Sequence, residues 1–222
     1  MVKIWLKQVI FILLLIFTSI SYGQNKCFCE NEPDLIERVP CDTTILKNKS
    51  QLYYQFNCDS VWLTLDNNQN KVVIFSMGTE LAGYTYRLGY LLTKEFKNSL
   101  LFRWSCPANG PCNYVLLDKN TGKILQHYNE LIYKAQDSLA DFIIYFTNDN
   151  LSSLTIDFID RNKKYQIAVD SNKFRGINPE YQFEEAVLDN DKLKMTYSYL
   201  KNETDTNYIT ENIEIDLKKY QH

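Results

Sequence analysis

Apolar and polar side chains take turns along most of this chain, and that alternation constrains its fold more than any other feature. A strand turns successive side chains to opposite faces, so a period of two marks a ribbon with one buried face. "KLKMTYSY" is the cleanest case. Leu193, Met195, Tyr197 and Tyr199 face one way, and Lys192, Lys194, Thr196 and Ser198 the other. Leu52, Tyr54 and Phe56 share a face in "QLYYQFN", as do Val61, Leu63 and Leu65 in "SVWLTL". "ITENIEI" sets Ile209, Ile213 and Ile215 against Thr210, Glu214 and Asp216. Further strands are expected over 71–77, 100–105, 113–117, 123–128, 141–147, 153–159, 164–169 and 182–188. Tyr, Phe and Ile are abundant in these runs, as suits a half-buried pleated surface.

The links between runs are short and rich in Asn, Asp and Gly: "DNNQNK", "DKNTGK", "NDNLSS", "DRNKK" and "LDNDK". Such links are hairpin turns. The expected fold is therefore all-β, an antiparallel meander of about twelve strands. A meander of that size avoids open edges as a barrel, a sandwich or a set of propeller blades. The runs group loosely in fours, over 43–77, 85–128, 130–169 and 181–217, which favours a propeller-like arrangement, with a sandwich next. The turn residues Asp66, Asp118, Asp160 and Asp189 recur at unequal intervals, so no strict repeat is present. Two stretches are ambiguous. Leu81, Tyr84, Leu88 and Leu91 fit a helix face, whereas Tyr84, Tyr86, Leu88, Tyr90 and Leu92 fit a strand; Gly83 and Gly89 favour the strand. Residues 129–140 have the look of a short helix, and 178–180 of a turn.

The N-terminus carries its own pattern. Lys3 and Lys7 precede an unbroken apolar run from Val9 to Phe17, and small and polar residues follow at Ser19, Ser21 and Gly23. This is the order of a secretory signal peptide over 1–23, cut after Gly23. The run is short for a membrane span of about 20 residues, so no stable span is expected after cleavage. An extended, cysteine-containing arm over 24–42 and one all-β domain over 43–222 then make up the mature chain. Removing Lys3 and Lys7 makes the remainder more acidic than the whole chain's formal −3. That balance, with no Lys/Arg block, argues against a nucleic-acid partner.

Six cysteines, Cys27, Cys29, Cys41, Cys58, Cys106 and Cys112, all fall in the exported part. An even number in an oxidising compartment favours disulfides. Cys106 and Cys112 flank "PANGP", a run of turn formers that brings the two ends together, so these two are expected to pair. Cys27, Cys29, Cys41 and Cys58 are expected to pair among themselves.

Motifs for chemistry are scarce. Neither of the two histidines, His127 and His222, has a second histidine at metal-ligand spacing. There is no G-x-S-x-G, no H-E-x-x-H and no phosphate-binding glycine loop. "DNNQNK" lacks the glycine and the distal glutamate of a calcium loop. No cofactor or metal is expected. Aromatics are plentiful, with 16 Tyr, 12 Phe and 3 Trp. Trp62 alternates away from Val61 and Leu63, and Trp104 borders the Cys106 loop, so these two are candidates for an exposed binding surface. The expected function is that of an exported, non-catalytic binding or interaction protein with a protein or glycan ligand. Two alternatives stay open. One is an inhibitor or protective protein of the cell envelope. The other is a glycan-acting enzyme whose carboxylates, drawn from residues such as Asp157, Asp160, Glu184 and Glu185, are assembled by the fold.

Overall fold

The Asn- and Asp-rich links close as hairpins, and the hairpins gather into four antiparallel sheets that follow one another along the chain. A computed structural model describes residues 34–220 except 68, 135–139, 148, 177 and 203. The expected leader, and Cys27 and Cys29 of the arm, lie outside the described residues. The first sheet holds β1 (Thr44–Ile45), β2 (Gln51–Phe56), β3 (Ser60–Asp66) and β4 (Lys71–Gly78), in that order. The second holds β5 (Leu91–Glu95), β6 (Ser99–Trp104), β7 (Asn113–Asp118) and β8 (Ile124–Tyr128). The third holds β9 (Phe142–Phe146), β10 (Ser153–Phe158) and β11 (Lys163–Ala168), and the fourth β12 (Phe183–Asp189), β13 (Lys192–Tyr199) and β14 (Ile209–Asp216). Within each sheet every strand pairs with its neighbour in sequence.

Register explains which face is buried. Leu52 lies opposite Leu65, Tyr54 opposite Leu63, and Phe56 opposite Val61, and all six are buried. Between β3 and β4 the register shifts, Leu63 lying opposite Phe75 and Thr64 opposite Val73, so Ile74 is an extra residue on β4 and "KVVIFSM" shows no clean alternation. The Asp118–Gly122 turn closes on its own carboxylate: Asp118 Oδ1 accepts the backbone N–H of Asn120 (3.0 Å) and of Thr121 (2.7 Å). Gly122 sits at φ +69, and a Cβ there would meet Ile74 Cγ2 at 2.6 Å. The turn thus needs glycine twice over, for its left-handed backbone and for its close approach to the first sheet.

The four sheets pack face to face in chain order. Leu100, Phe102, Val115 and Leu117 on one face of the second sheet join Leu52, Phe56, Leu63 and Leu65 of the first in one core. Leu101, Tyr114 and Leu116 on its other face join Ile143, Ile144, Leu154, Ile156, Leu193, Met195 and Ile215 of the third and fourth sheets in another. The second sheet is therefore covered on both faces, and its strands read as apolar runs rather than alternations. The third is covered likewise. Tyr128 of β8 meets Tyr145 of β9 at 5.1 Å between ring centres, and on the far face Phe146 meets Phe183 of β12 at 6.2 Å. Fully burying side chains such as Phe102 or Phe158 stabilises by roughly 1.5–3 kcal/mol each.

Two local expectations are corrected. Residues 79–88 are not a strand. They form a 3-10 stretch, Thr79–Tyr84, and a helical turn α1 (Thr85–Leu88). Thr85 is buried and its hydroxyl donates to Ala82 O (2.6 Å), while Gly89 N–H closes the turn on Thr85 O (2.9 Å). Gly89 answers to close packing and not to a strand: a Cβ there would meet Thr85 O and Tyr54 Oη, each at 2.6 Å. The short helix expected over 129–140 is absent where it can be described. Ile132 and Tyr133 lie beside β9 in a bend and an isolated bridge, with Ile132 N–H donating to Ile144 O (2.9 Å) and Ile144 N–H to Tyr133 O (3.1 Å); 135–139 lie outside the described residues. The turn at 178–180 is a 3-10 turn, Pro179–Gln182.

Cys106 and Cys112 sit at disulfide distance, with their Cα atoms 4.2 Å apart, across the β6–β7 loop. Arg87 in α1 holds that loop, its guanidinium donating twice to Cys106 O and its own carbonyl accepting Cys106 N–H (2.9 Å). Cys41 and Cys58 are each disulfide-bonded. Among the described residues no helix is long and apolar enough to cross a membrane.

Candidate functional site

The residues singled out in the sequence do not converge. Trp62 and Trp104 are both half-buried. Trp62 lies on the face of the first sheet turned away from the core and donates its indole N–H to Gln55 Oε1 (3.2 Å). Trp104 packs edge-on to Tyr90 at 5.8 Å between ring centres and near His127 at 6.2 Å. Asp157 is buried between the second and third sheets, where it accepts hydrogen bonds from Tyr128 Oη (3.1 Å) and Lys164 Nζ (3.0 Å). Asp160 accepts Lys97 N–H (2.9 Å) at a turn. Glu184 and Glu185 are exposed on β12. Four carboxylates at separate places do not make an acid–base pair.

A different pair meets beside the Cys106–Cys112 loop. The chain leaves β8 at Tyr128, and two residues on Glu130 turns inward. It is 4% exposed. Its Oε2 accepts Cys112 N–H (2.8 Å), and its Oε1 accepts Leu131 N–H (3.2 Å) and pairs with Lys134 Nζ (2.7 Å). Lys134 lies over the Tyr114 ring, 5.3 Å from its centre. Burial works to lower the Lys134 pKa, yet the hydrogen bonds to Glu130 and Tyr114 prevail and raise it, so the lysine is a firm cation. Glu180, on the 3-10 turn before β12, lies near Glu130. Burial first, and the charge of Glu130 second, push its carboxyl above the ordinary carboxylate range. Tyr181 next to it is exposed and donates its hydroxyl to Gly110 O (2.9 Å), tying the turn to the disulfide loop.

Glu180 stands between two clefts. One, of about 270 Å³, is lined by His127, Asn129, Glu130, Tyr145 and Asp149 among others. The other, of about 510 Å³, runs between residues 131–134 and β12, with Glu184, Glu185 and Val187 on its strand wall. Chain parity could not reveal this pair. Glu130 lies beyond the end of β8, where alternation no longer fixes a face, and Glu180 reaches it only through the packing of the fourth sheet on the third.

At the opposite end of the second sheet, a cleft of about 460 Å³ gathers Lys47, Lys94, Lys97 and Lys119 with Glu95, Asp141 and Asp160. Its acids are already engaged. Glu95 pairs with the buried Lys119 and accepts Lys47 N–H (2.8 Å), and Asp141 takes both prongs of Arg161 (2.9 and 3.1 Å). In the fourth sheet Glu211 accepts from Lys173 and from the hydroxyls of Tyr197 and Tyr199 (2.8 Å each), Lys173 foremost, and its carboxyl is held down at about 2. Among the described residues no group of three or more His, Cys, Asp and Glu is arranged to hold a metal ion. No family model, no curated protein and no solved structure matches this chain.

Proposed function

We propose that this chain is exported and acts by binding a protein or glycan rather than by catalysis. The carrying observation is the state of the buried charges. Among the described residues three charged side chains are buried, Lys119, Glu130 and Asp157, and each is ion-paired within the fold, to Glu95, Lys134 and Lys164. One of these pairs, Glu130–Lys134, lies where the chain crosses from the second sheet to the third, and the other two join strands or turns of a single sheet, so these buried charges are spent on the architecture. Export is supported by the leader-like N-terminus and by paired cysteines, which persist in oxidising compartments. A propeller-like arrangement of the sheets is supported by their shared plan. Each is a meander whose strands follow chain order, and an isolated bridge from Tyr133 to Ile144 flanks β9 in the third sheet. Both faces of the second and third sheets are covered, as in inner blades; a two-sheet sandwich would leave one face of each to solvent.

One observation favours the glycan-acting alternative. Glu180, its carboxyl pKa raised chiefly by burial, lies near Glu130 at the border of two clefts, and two neighbouring carboxyl groups in unlike environments are the pattern of an acid and a charge stabiliser. Glycan and peptide arrays probed with the mature protein separate the two readings. Saturable binding, with the bound compound recovered chemically unchanged, supports a binding protein. Conversion of a glycan that disappears in Glu180→Gln would replace that reading with the enzymatic one. The N-terminal residue of protein secreted by its own host tests export; a mature start at Gln24 is expected.

A further inference from the structure

We propose that the free edge of β12 takes up an extended, cationic peptide segment of another protein as the fourth strand of the last sheet. This rests on the binding reading above and names the partner's chemistry. The first and second sheets have four strands each, and the third has three, with an isolated bridge from Tyr133 to Ile144 on the outer side of β9. The fourth sheet has three, in the order β12-β13-β14, and among the described residues no member ahead of β12. The cleft of about 510 Å³ lies along that side of β12.

Among the described residues the outer edge of β12 has no partner strand. Asp189 and Lys192 face each other across the two-residue Asn190–Asp191 turn, and Leu188, Ala186 and Glu185 follow in register with Leu193, Met195 and Thr196. In an antiparallel ladder alternate residues exchange hydrogen bonds, so Leu188 and Ala186 turn their N–H and C=O groups away from β13. Among the described residues no backbone group bonds to them from the other side. Unpaired strand edges are templates for a further strand. The opposite wall supplies apolar contact through Leu131, Ile132 and Tyr133.

Charge selects the occupant. Glu180, Glu184 and Glu185 line the cleft. Lys134, on the other wall, is neutralised by Glu130, and Lys192 and Lys194 lie on β13, one strand further from the edge. An incoming strand therefore meets uncompensated carboxylates, and one with basic and apolar residues in alternation satisfies both the acids and the apolar wall.

Fluorescence anisotropy on the intact, oxidised mature protein tests this with a blocked nonapeptide of alternating lysine and valine. The peptide is expected to bind, its glutamate–valine counterpart is not, and Glu184→Lys/Glu185→Lys is expected to weaken binding by about tenfold or more through like-charge repulsion. Glu214→Lys, a reversal on β14 at the far edge of the sheet, should leave binding unchanged. A lysine–valine peptide N-methylated at alternate residues separates strand pairing from simple charge attraction, because it keeps the charge and loses the donors. Equal binding of the methylated peptide, or no binding of the unmethylated one, overturns the proposal. So does a dimer in sedimentation that the peptide cannot displace, since a second copy would then fill the edge. Array binding that survives Glu184→Lys/Glu185→Lys leaves the binding function standing and removes β12 as its seat.

Discussion

At the scale of single residues, Glu130 carries more of the fold than its place in the sequence suggests. It is buried and bonded to two backbone N–H groups and one lysine. Removing it leaves those donors without an acceptor and Lys134 as a partly buried, unpaired cation. Glu130→Ala is expected to cost about 3 kcal/mol in urea denaturation, and adding Lys134→Met should recover part of the loss because no charge then stays unpaired. Glu211 gives a prediction with a sign. Its folded pKa, about 2, lies below its ordinary 4.5, so its stabilisation is complete above the ordinary value and disappears as pH falls through that interval. Glu211→Gln should lower stability at neutral pH and flatten the acid limb between those two values. Glu180 acts in the opposite sense: its raised pKa means that protonation as pH falls relieves a buried charge in the folded state. None of this was legible in the sequence. "HYNE" shows a histidine near a glutamate, yet what matters about Glu130 is the Cys112 N–H brought to it from 18 positions away in the chain.

At the scale of elements, alternation was a reliable guide wherever one face of a strand meets the core. The runs ending at Phe56 and Leu65 bury the expected face, and those ending at Tyr199 and Ile215 do so except at one end, where Ser198 is more buried than Tyr199 and Ile209 is exposed. It failed where contacts from elsewhere decide. The spacing of Tyr84, Tyr86, Leu88 and Tyr90 suits a strand, but Tyr54 packs against Gly89 and the chain coils into a helical turn instead. β1 is two residues long, too short to carry a period. The Cys106–Cys112 bridge was legible because proline and glycine force the reversal locally. Its loop is short, so replacing both cysteines with alanine should cost only about 2 kcal/mol. Hydrogen exchange should quicken in 104–113, in the Arg87 turn docked on that loop, and at Leu131, while β9 and β10 keep their protection. Collapse of the whole exchange profile would mean that the bridge holds the fold and not merely the loop.

At the scale of the molecule, four consecutive meanders stacked in chain order place the second and third sheets between the first and the fourth. The grouping of runs in fours foreshadowed this, although its boundaries came from spacing and not from any repeated motif. Burial then follows from position. Leu100, Leu101, Val115, Leu117, Ile143, Ile144, Leu154 and Ile156 are all essentially inaccessible, whereas β14 and β11 carry mostly exposed or half-buried residues. Stability should be graded in the same order, because local opening is easiest where one face already meets water. Hydrogen–deuterium exchange of the intact oxidised protein, resolved by peptide, tests this most directly. The slowest amides are expected in β6, β7, β9 and β10, with faster exchange in β4, β11 and β14. Protection that is greatest in the first or fourth sheet, or low throughout the second and third, would contradict a fold built around two inner sheets.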